Sequence, residues 1–147
     1  MKDDISIRKM HLSEPGELAD LWLKISLKAH DFIPAEYWIE NRTLMAEKYL
    51  PNAEVYVAVD KEDILGFIAL IDNHVASIFV DNEKQGKGIG SSLLSYAKEL
   101  RGELTLNVYQ KNEKSVHFYN SKGFTILSET IDEPTNEKEF AMTWVKQ

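Results

Sequence analysis

A glycine-rich stretch between a predicted strand and a predicted helix constrains the fold of this 147-residue chain more than any other feature. The run that ends at Ile78-Phe79-Val80 is β-branched and aromatic, whereas apolar residues recur at helical spacing over positions 89–100. Gly86, Gly88 and Gly90 lie between them. Because glycine has no Cβ, this backbone can adopt positive φ and approach a ligand closely, and N–H groups at a helix start bind phosphate. The alternative is a tight turn that simply uses glycine.

The spacing of the glycines excludes two common phosphate motifs. A P-loop ends in Gly-Lys-Ser/Thr, but Lys87 is followed by glycine, and the Rossmann pattern requires Gly-x-Gly-x-x-Gly. The segment 85–90, Gln-Gly-Lys-Gly-Ile-Gly, instead resembles the Gln/Arg-x-x-Gly-x-Gly/Ala signature of the GNAT superfamily of acetyl-CoA-dependent N-acetyltransferases.

A second signature strengthens this resemblance. In that superfamily a strand leads to an Asn-started helix that ends in Phe-Tyr and then a Gly-Phe step. Here the strand at 104–108 is followed by Asn112, Phe118-Tyr119 and Gly123-Phe124. Segments 29–33 and 35–38 also resemble small stand-alone bacterial members, so the similarity extends over the whole chain.

Hydrophobic patterning predicts the order of elements. Ile5 and Ile7 mark a first strand, Ser13 and Pro15 the start of a helix, and Pro34 and Pro51 the limits of a second helix. Further strands are predicted at 54–59, 64–71, 75–80, 104–108, 124–131 and 139–145. The strands at 75–80 and 104–108 are expected to be parallel through a right-handed crossover. The resemblance implies one α+β domain over 1–147. Its mixed, mainly antiparallel sheet has six to seven strands and about four helices, and the central parallel strands splay apart to admit pantetheine.

Composition restricts the chemistry. The chain has no cysteine, which excludes disulfides, thiolate metal sites and a cysteine nucleophile, so acyl transfer would be direct. No metal-ligand pattern and no basic stripe typical of nucleic-acid binding appears. No apolar run approaches a membrane span of about 20 residues and no signal peptide is recognisable, so we expect a cytoplasmic protein, either a monomer or a homodimer.

The net charge of −7 is unevenly distributed. Residues 81–122 carry +2 and the remainder −9. A basic half beside an acidic half suits anionic CoA on one side and a cationic amine on the other, although both halves are also compatible with ordinary solvated surface.

The resemblance also implies a cofactor site, with pyrophosphate held by the amides of residues 86–91 and the acetyl group near the strand end. For Asn112, a helix N-cap role is an equally good alternative to cofactor binding, because asparagine is among the best N-cap residues. The predicted cofactor-binding residues are Ile78, Phe79, Val80, Gln85, Gly86, Lys87, Gly88, Ile89, Gly90, Ser91 and Asn112.

In related proteins the first two helices and their loop overhang the acceptor. The predicted acceptor-binding residues are therefore His30, Phe32, Ile33, Tyr37 and Trp38, with Asn107 on the strand beside the splay. Core packing is the alternative for the aromatic residues, and a polar filler role is the alternative for Asn107.

Tyr119 matches the general acid of the superfamily, and its alternative is a core tyrosine beside Phe118. The sequence alone does not identify a residue as the general base. His74 shares the strand of the acetyl site but lies roughly 13 Å from Ile78 along it, so a water relay would be needed. His30 and His117 are weaker candidates. The predicted reaction is acetyl transfer from acetyl-CoA to a primary amine, on a protein lysine, a protein N-terminus or a small molecule. A non-catalytic acyl-CoA sensor is the alternative function.

Overall fold

The computed structural model describes residues 5–81, 83 and 88–147. In these ranges seven strands form one sheet in the order β1-β2-β3-β4-β5-β7-β6, and β4 and β5 are its parallel pair. The predicted mixed sheet and its flanking helices are confirmed. The strands are β1 (Ile5–Lys9), β2 (Glu54–Asp60), β3 (Asp63–Ile71), β4 (His74–Val80), β5 (Glu103–Tyr109), β6 (Thr125–Asp132) and β7 (Glu137–Val145), and the helices are α1 (Pro15–Ala29), α2 (Ala35–Leu44), α3 (Ile89–Leu100) and α4 (Glu113–Ser121).

Helices cover both faces of the sheet, which explains the long apolar runs in its central strands. On β2, Tyr56 and Ala58 pack on the face of α3 and α4, whereas Val55, Val57 and Val59 pack on the face of α1 and α2. Two apolar cores therefore share one sheet, and successive residues of a strand belong to different cores.

The parallel pair separates partway along its length. Two residue pairs join β4 and β5, His74 with Thr105 and Val75 with Leu106. The amide of Thr105 also donates to the Asn73 carbonyl oxygen at 3.0 Å. From there to their C-terminal ends, in the described part of the chain, the strands diverge. The predicted splay is confirmed, and it opens the sheet between the two cores.

Helix starts follow the predicted signals with one correction. Helix α1 begins at Pro15, but Glu14 rather than Ser13 occupies the cap position. The Glu14 carboxylate accepts the His11 amide at 2.7 Å and two hydrogen bonds from Arg8, at 3.0 and 2.8 Å, so it anchors the entry to α1. Asn112 caps α4 by accepting the Ser115 amide at 3.3 Å, which confirms its N-cap interpretation.

The second predicted helix is divided. Regular α2 ends at Leu44, and a π-helical turn over Met45–Tyr49 continues it to the proline at position 51. Met45 is buried in the core beneath the turn, so this irregular segment still packs on the sheet. None of the helices in the described ranges has the length and hydropathy to cross a membrane.

Candidate active site

A cavity of about 920 Å³ lies where β4 and β5 separate. It is bounded by the C-terminal end of α1, the two diverging strands, the first turn of α3 and one face of α4. Most of the predicted site residues line it: His30, Trp38, Ile78, Phe79, Val80, Gly88, Ile89, Gly90, Ser91, Asn107, Asn112 and Tyr119.

Other predicted residues lie elsewhere. Ile33 is 3% exposed and packs in the core, so it does not line the cavity. Phe32 packs edge-on against the rings of His30 and Tyr109, and Tyr37 against Trp38, so both stand behind the lining residues. Gln85, Gly86 and Lys87 lie outside the described residues.

His74 is not brought to the cavity. It begins β4, and its Nδ1 lies 2.8 Å from the Thr105 hydroxyl at the end where the two strands still pair. The splay develops at the opposite end of β4, so the fold leaves this imidazole at the paired end of the strand, away from Ile78.

The alternation of hydrogen bonds between β3 and β4 determines which amides of β4 face the gap between β4 and β5. The Asp81 amide donates to the Leu65 carbonyl at 2.8 Å, and the register continues as Phe67 opposite Phe79 and Ile68 opposite Ile78. Hydrogen-bonded and non-hydrogen-bonded pairs alternate in an antiparallel ladder, so the Phe79 amide faces β3. The N–H of Ile78 is therefore directed away from β3, towards the gap.

The start of α3 presents a helix N-terminus to the cavity. Gly88 caps this helix with φ of +78°, a left-handed conformation that favours glycine. The first-turn residues Ile89, Gly90 and Ser91 line the cavity. A Cβ at Gly90 would lie 3.4 Å from the Phe118 ring, so this helix and α4 approach closely. The arrangement suits a phosphate.

Tyr119 reaches the cavity from α4. Its side chain is 9% exposed and packs edge-on against Phe118 and Phe124, with ring centroids 5.4 and 5.9 Å away. Burial raises the pKa of the phenol, which keeps it protonated at neutral pH. The geometry thus combines the two sequence interpretations, because the ring is part of the core and also borders the cavity.

Glu139, which sequence reasoning missed as a site residue, also lines the cavity. Strand β7 lies beside β5 and places Glu139 opposite Tyr109. Phe140 and Met142 pack on the face of α3 and α4, so by alternation Glu139 projects from the other face. Burial, and secondarily the Asp132 carboxylate, raises the pKa of Glu139 to about 6.

Asp132 is held close to this carboxylate. Its Oδ2 accepts the Tyr109 hydroxyl at 3.0 Å and the Thr135 hydroxyl at 2.6 Å. Burial first, and then the Asp132 charge, raises the pKa of both Tyr109 and Tyr37. Glu139 and Tyr109 therefore line this end of the cavity on the face of α1 and α2, and Asp132 lies behind them.

His30 lies among four aromatic rings on this face. Ring centroids are 5.1 Å away for Tyr109, 5.3 Å for Trp38, 5.9 Å for Phe32 and 6.5 Å for Phe79. Burial lowers the pKa of His30 to about 4, so the imidazole is neutral at pH 7. A pKa this low makes it a poor acceptor for an ammonium proton.

Two lysines, Lys28 and Lys114, also border the cavity and were not predicted. They contribute positive charge towards an anionic ligand. Over the described residues, no group of three or more His, Cys, Asp or Glu side chains is arranged to hold a metal ion.

Comparison with known proteins gives consistent matches. The acetyltransferase (GNAT) domain matches residues 51–126. The peptidyl-lysine N-acetyltransferase YiaC of Escherichia coli is 32% identical over 94% of this chain and 95% of its own length. The peptidyl-lysine N-acetyltransferase YjaB of Escherichia coli is 37% identical over 83% of each chain. The solution structure of apo-form YjaB superposes with a TM-score of 0.86 at 32% identity, covering 97% of this chain and 99% of the other.

Proposed function

Because this chain belongs to the GNAT family of N-acetyltransferases, which use acetyl-CoA, we propose that its acceptor is the ε-amine of lysine side chains in proteins. Two relatives, of which it covers 95% and 83%, are named peptidyl-lysine N-acetyltransferases. A non-catalytic sensor has no support from these relatives, since both are named as enzymes. We further propose that residues 1–147 act as one catalytic domain, because both cores share one sheet. We also propose that it acts in the cytoplasm.

The observation that carries the proposal is the opening of the sheet between Tyr119 and Glu139, which we propose as acid and base. Tyr119 belongs to the core on the face of α3 and α4, whereas Glu139 projects from the face of α1 and α2. Both line the same cavity because the splay of β4 and β5 connects the two faces. A thioester entering from one face and an amine from the other would meet in the gap.

On the donor side, we assign pyrophosphate to the amides at the start of α3, around Gly88, Ile89, Gly90 and Ser91. The Ile78 N–H faces the gap and is the amide best placed to stabilise the oxyanion of a tetrahedral intermediate. These groups are backbone donors fixed by the sheet and the helix, so they need no reorganisation as charge develops.

We assign Tyr119 as the general acid that protonates the departing sulfur. Its raised pKa keeps the phenol protonated, and it lies at the cavity wall rather than deeper in the core. Because a thiol with a reference pKa near 8.5 leaves readily even as the thiolate, we expect its protonation by Tyr119 to make only a modest contribution to the rate.

We assign Glu139 as the base. An alkyl ammonium has a pKa of about 10.4, so only about one amine in 2,500 is neutral at pH 7. A carboxylate whose pKa is about 6 is ionised at that pH and is a stronger proton acceptor than an ordinary glutamate. Its position beside the Asp132 carboxylate also attracts a cation before the proton moves.

The acceptor side suits a lysine in particular. A lysine offers an ammonium to Glu139 and Asp132, and an alkyl chain that can pack on the rings of Trp38 and Tyr109. Asn107 is exposed at the cavity wall and adds a polar side chain to the same face of the sheet as Tyr109.

The test compares acceptors at matched concentration. Lysine-containing peptides, a polyamine, free amino acids and an aminoglycoside are incubated with acetyl-CoA, and CoA release is followed by thiol detection. We expect acetylation of the lysine ε-amine, located by mass spectrometry, with kcat/KM at least tenfold above that of every small amine. Turnover confined to small amines, or acetylation only at peptide N-termini, would contradict the proposed acceptor.

A further inference from the structure

Two buried N–H donors on the cavity wall have no protein acceptor. His30 is 9% exposed and Trp38 is 5% exposed, and their rings lie 5.3 Å apart with planes inclined by 31°. Within the described ranges, neither His30 Nδ1 nor Trp38 Nε1 has a hydrogen-bond partner. Both residues line the cavity where β4 and β5 separate. Buried donors without a partner are uncommon because they lose their bonds to water.

Asn112 fixes which nitrogen of His30 carries the proton. The Asn112 side-chain oxygen accepts the Ser115 amide, so its Nδ2 is the atom that lies 3.3 Å from His30 Nε2. An amide nitrogen can only donate, hence Nε2 must accept and be unprotonated. In the neutral imidazole the proton is therefore on Nδ1, which makes Nδ1 a hydrogen-bond donor without an acceptor in the described ranges.

The chemistry of the surrounding groups limits what this acceptor can be. Trp38 Nε1 and His30 Nδ1 can only donate here, so an ammonium cannot occupy the position next to them. Glu139 and Asp132 on the same face disfavour a carboxylate or phosphate at this position, even though Lys28 and Lys114 border the cavity. A neutral oxygen acceptor remains, and we propose that His30 Nδ1 and Trp38 Nε1 bind a carbonyl oxygen of a reactant inside the cavity.

Two carbonyl groups come near His30 if the proposed function holds, and this inference rests on it. His30 contacts Phe79 of β4 and Tyr109 of β5, so it spans the gap between the diverging strands. One source is the thioester carbonyl of acetyl-CoA, and the other is a peptide carbonyl beside the acceptor lysine. Both offer the same acceptor atom, so separate measurements must distinguish them.

The donor measurement compares acetyl-CoA with S-ethyl-CoA, a thioether in which a methylene replaces the carbonyl. Calorimetry gives the affinity of each compound for the unmodified protein and for His30→Phe and Trp38→Phe, which keep a ring but remove the N–H. If the thioester is the source, the preference for acetyl-CoA over S-ethyl-CoA falls about tenfold in each variant. Trp22→Phe is the matched control, since Trp22 also borders the cavity and packs edge-on against Trp38 at 5.4 Å.

The acceptor measurement compares Nα-acetyl-lysine amide with 1-aminopentane, which has the same alkyl ammonium without a carbonyl. If a peptide carbonyl is the source, the same two variants lose about tenfold of the kcat/KM preference for the lysine derivative, and Trp22→Phe keeps it. Unchanged preferences in both measurements, with folded variants, would overturn the inference.

A third measurement reads the tautomer without any ligand. Two-bond ¹H–¹⁵N correlation spectra of the imidazole should report Nδ1–H in the unmodified protein, and an Nε2–H tautomer would overturn the inference. Asn112→Asp keeps the helix cap but replaces the Nδ2 donor with a carboxylate oxygen. We expect it to move the proton to Nε2 and to abolish the same preference as His30→Phe.

These outcomes separate the inference from the proposed function. If the protein acetylates no peptide, the calorimetry and the tautomer still decide whether the N–H pair binds the thioester. If it acetylates peptides and neither preference changes, the carbonyl site is wrong while the acceptor assignment stands.

Discussion

Replacing Glu139 by glutamine tests the acid–base assignment most directly. The substitution keeps the size of the side chain on β7 and removes its ability to accept a proton. Glu139 lines the cavity from the face of α1 and α2, and burial, with the Asp132 charge, raises its pKa to about 6. In the unmodified enzyme we therefore expect kcat/KM to rise with pH through about 6 and then to reach a plateau.

The size of the loss depends on pH in a calculable way. Without a base, the variant can use only neutral amine, which is about one molecule in 2,500 at pH 7 for a pKa of 10.4. Because general base catalysis contributes typically 10²–10⁴-fold, we expect a loss of roughly 10³-fold at pH 7. The neutral fraction grows roughly tenfold per pH unit, so the loss should shrink to about tenfold at pH 9.

The assay is kcat/KM for a lysine peptide between pH 5 and pH 10 by thiol release. Glu129→Gln is the matched control, since Glu129 lies on β6, is exposed and bonds to Gln110 at 2.9 Å. Asp132→Asn should move the acid limb to lower pH, because it removes a like charge beside Glu139. A Glu139→Gln variant that keeps the same plateau, or whose deficit is constant with pH, would refute the assignment.

Three further predictions follow from single residues. Tyr119→Phe should lower kcat by roughly 100-fold with little change in acetyl-CoA affinity, and a loss below about threefold in a folded variant would point to another proton source. Gly88→Val should abolish acetyl-CoA binding by calorimetry, because φ there is +78°, whereas Gly102→Val, with nothing within 4 Å of a Cβ, should not. Glu14→Gln should lower the free energy of unfolding in urea by about 2 kcal/mol at pH 7. The Arg8 hydrogen bond lowers the Glu14 pKa from 4.5 to about 2, so this difference should hold above pH 4.5 and shrink below it.

The sequence was informative wherever a local rule determined the structure. Hydrophobic patterning predicted strands β2, β3 and β4, and the glycines before α3 predicted a helix N-terminus there, which borders the cavity. Asn112 was recognised as a cap because its side chain satisfies an amide only three residues away. In each case the relevant contact lies within a few residues of chain.

Contacts between distant segments could not be predicted in this way. Strand β7 inserts between β5 and β6, and no local pattern states which strand of a hairpin joins the sheet. Glu139 was therefore an ordinary strand-end carboxylate in the sequence, although its register opposite Tyr109 brings it to the cavity. His30 was considered as a weak base, but its four aromatic neighbours come from three separate segments and lower its pKa.

The proposed acid and base lie on opposite faces of the sheet, and this affects how acceptor preference can change. Tyr119 and the start of α3 belong to one core, while Glu139, Asp132 and His30 lie on the other side of the sheet. The splay joins the two sides, where β4 contributes the Ile78 amide as backbone and His30 Nε2 meets the Asn112 side chain at the start of α4. Substitutions in the β6–β7 hairpin should therefore alter acceptor choice while leaving acetyl-CoA affinity intact, because they reach the gap from the face opposite the proposed pyrophosphate site.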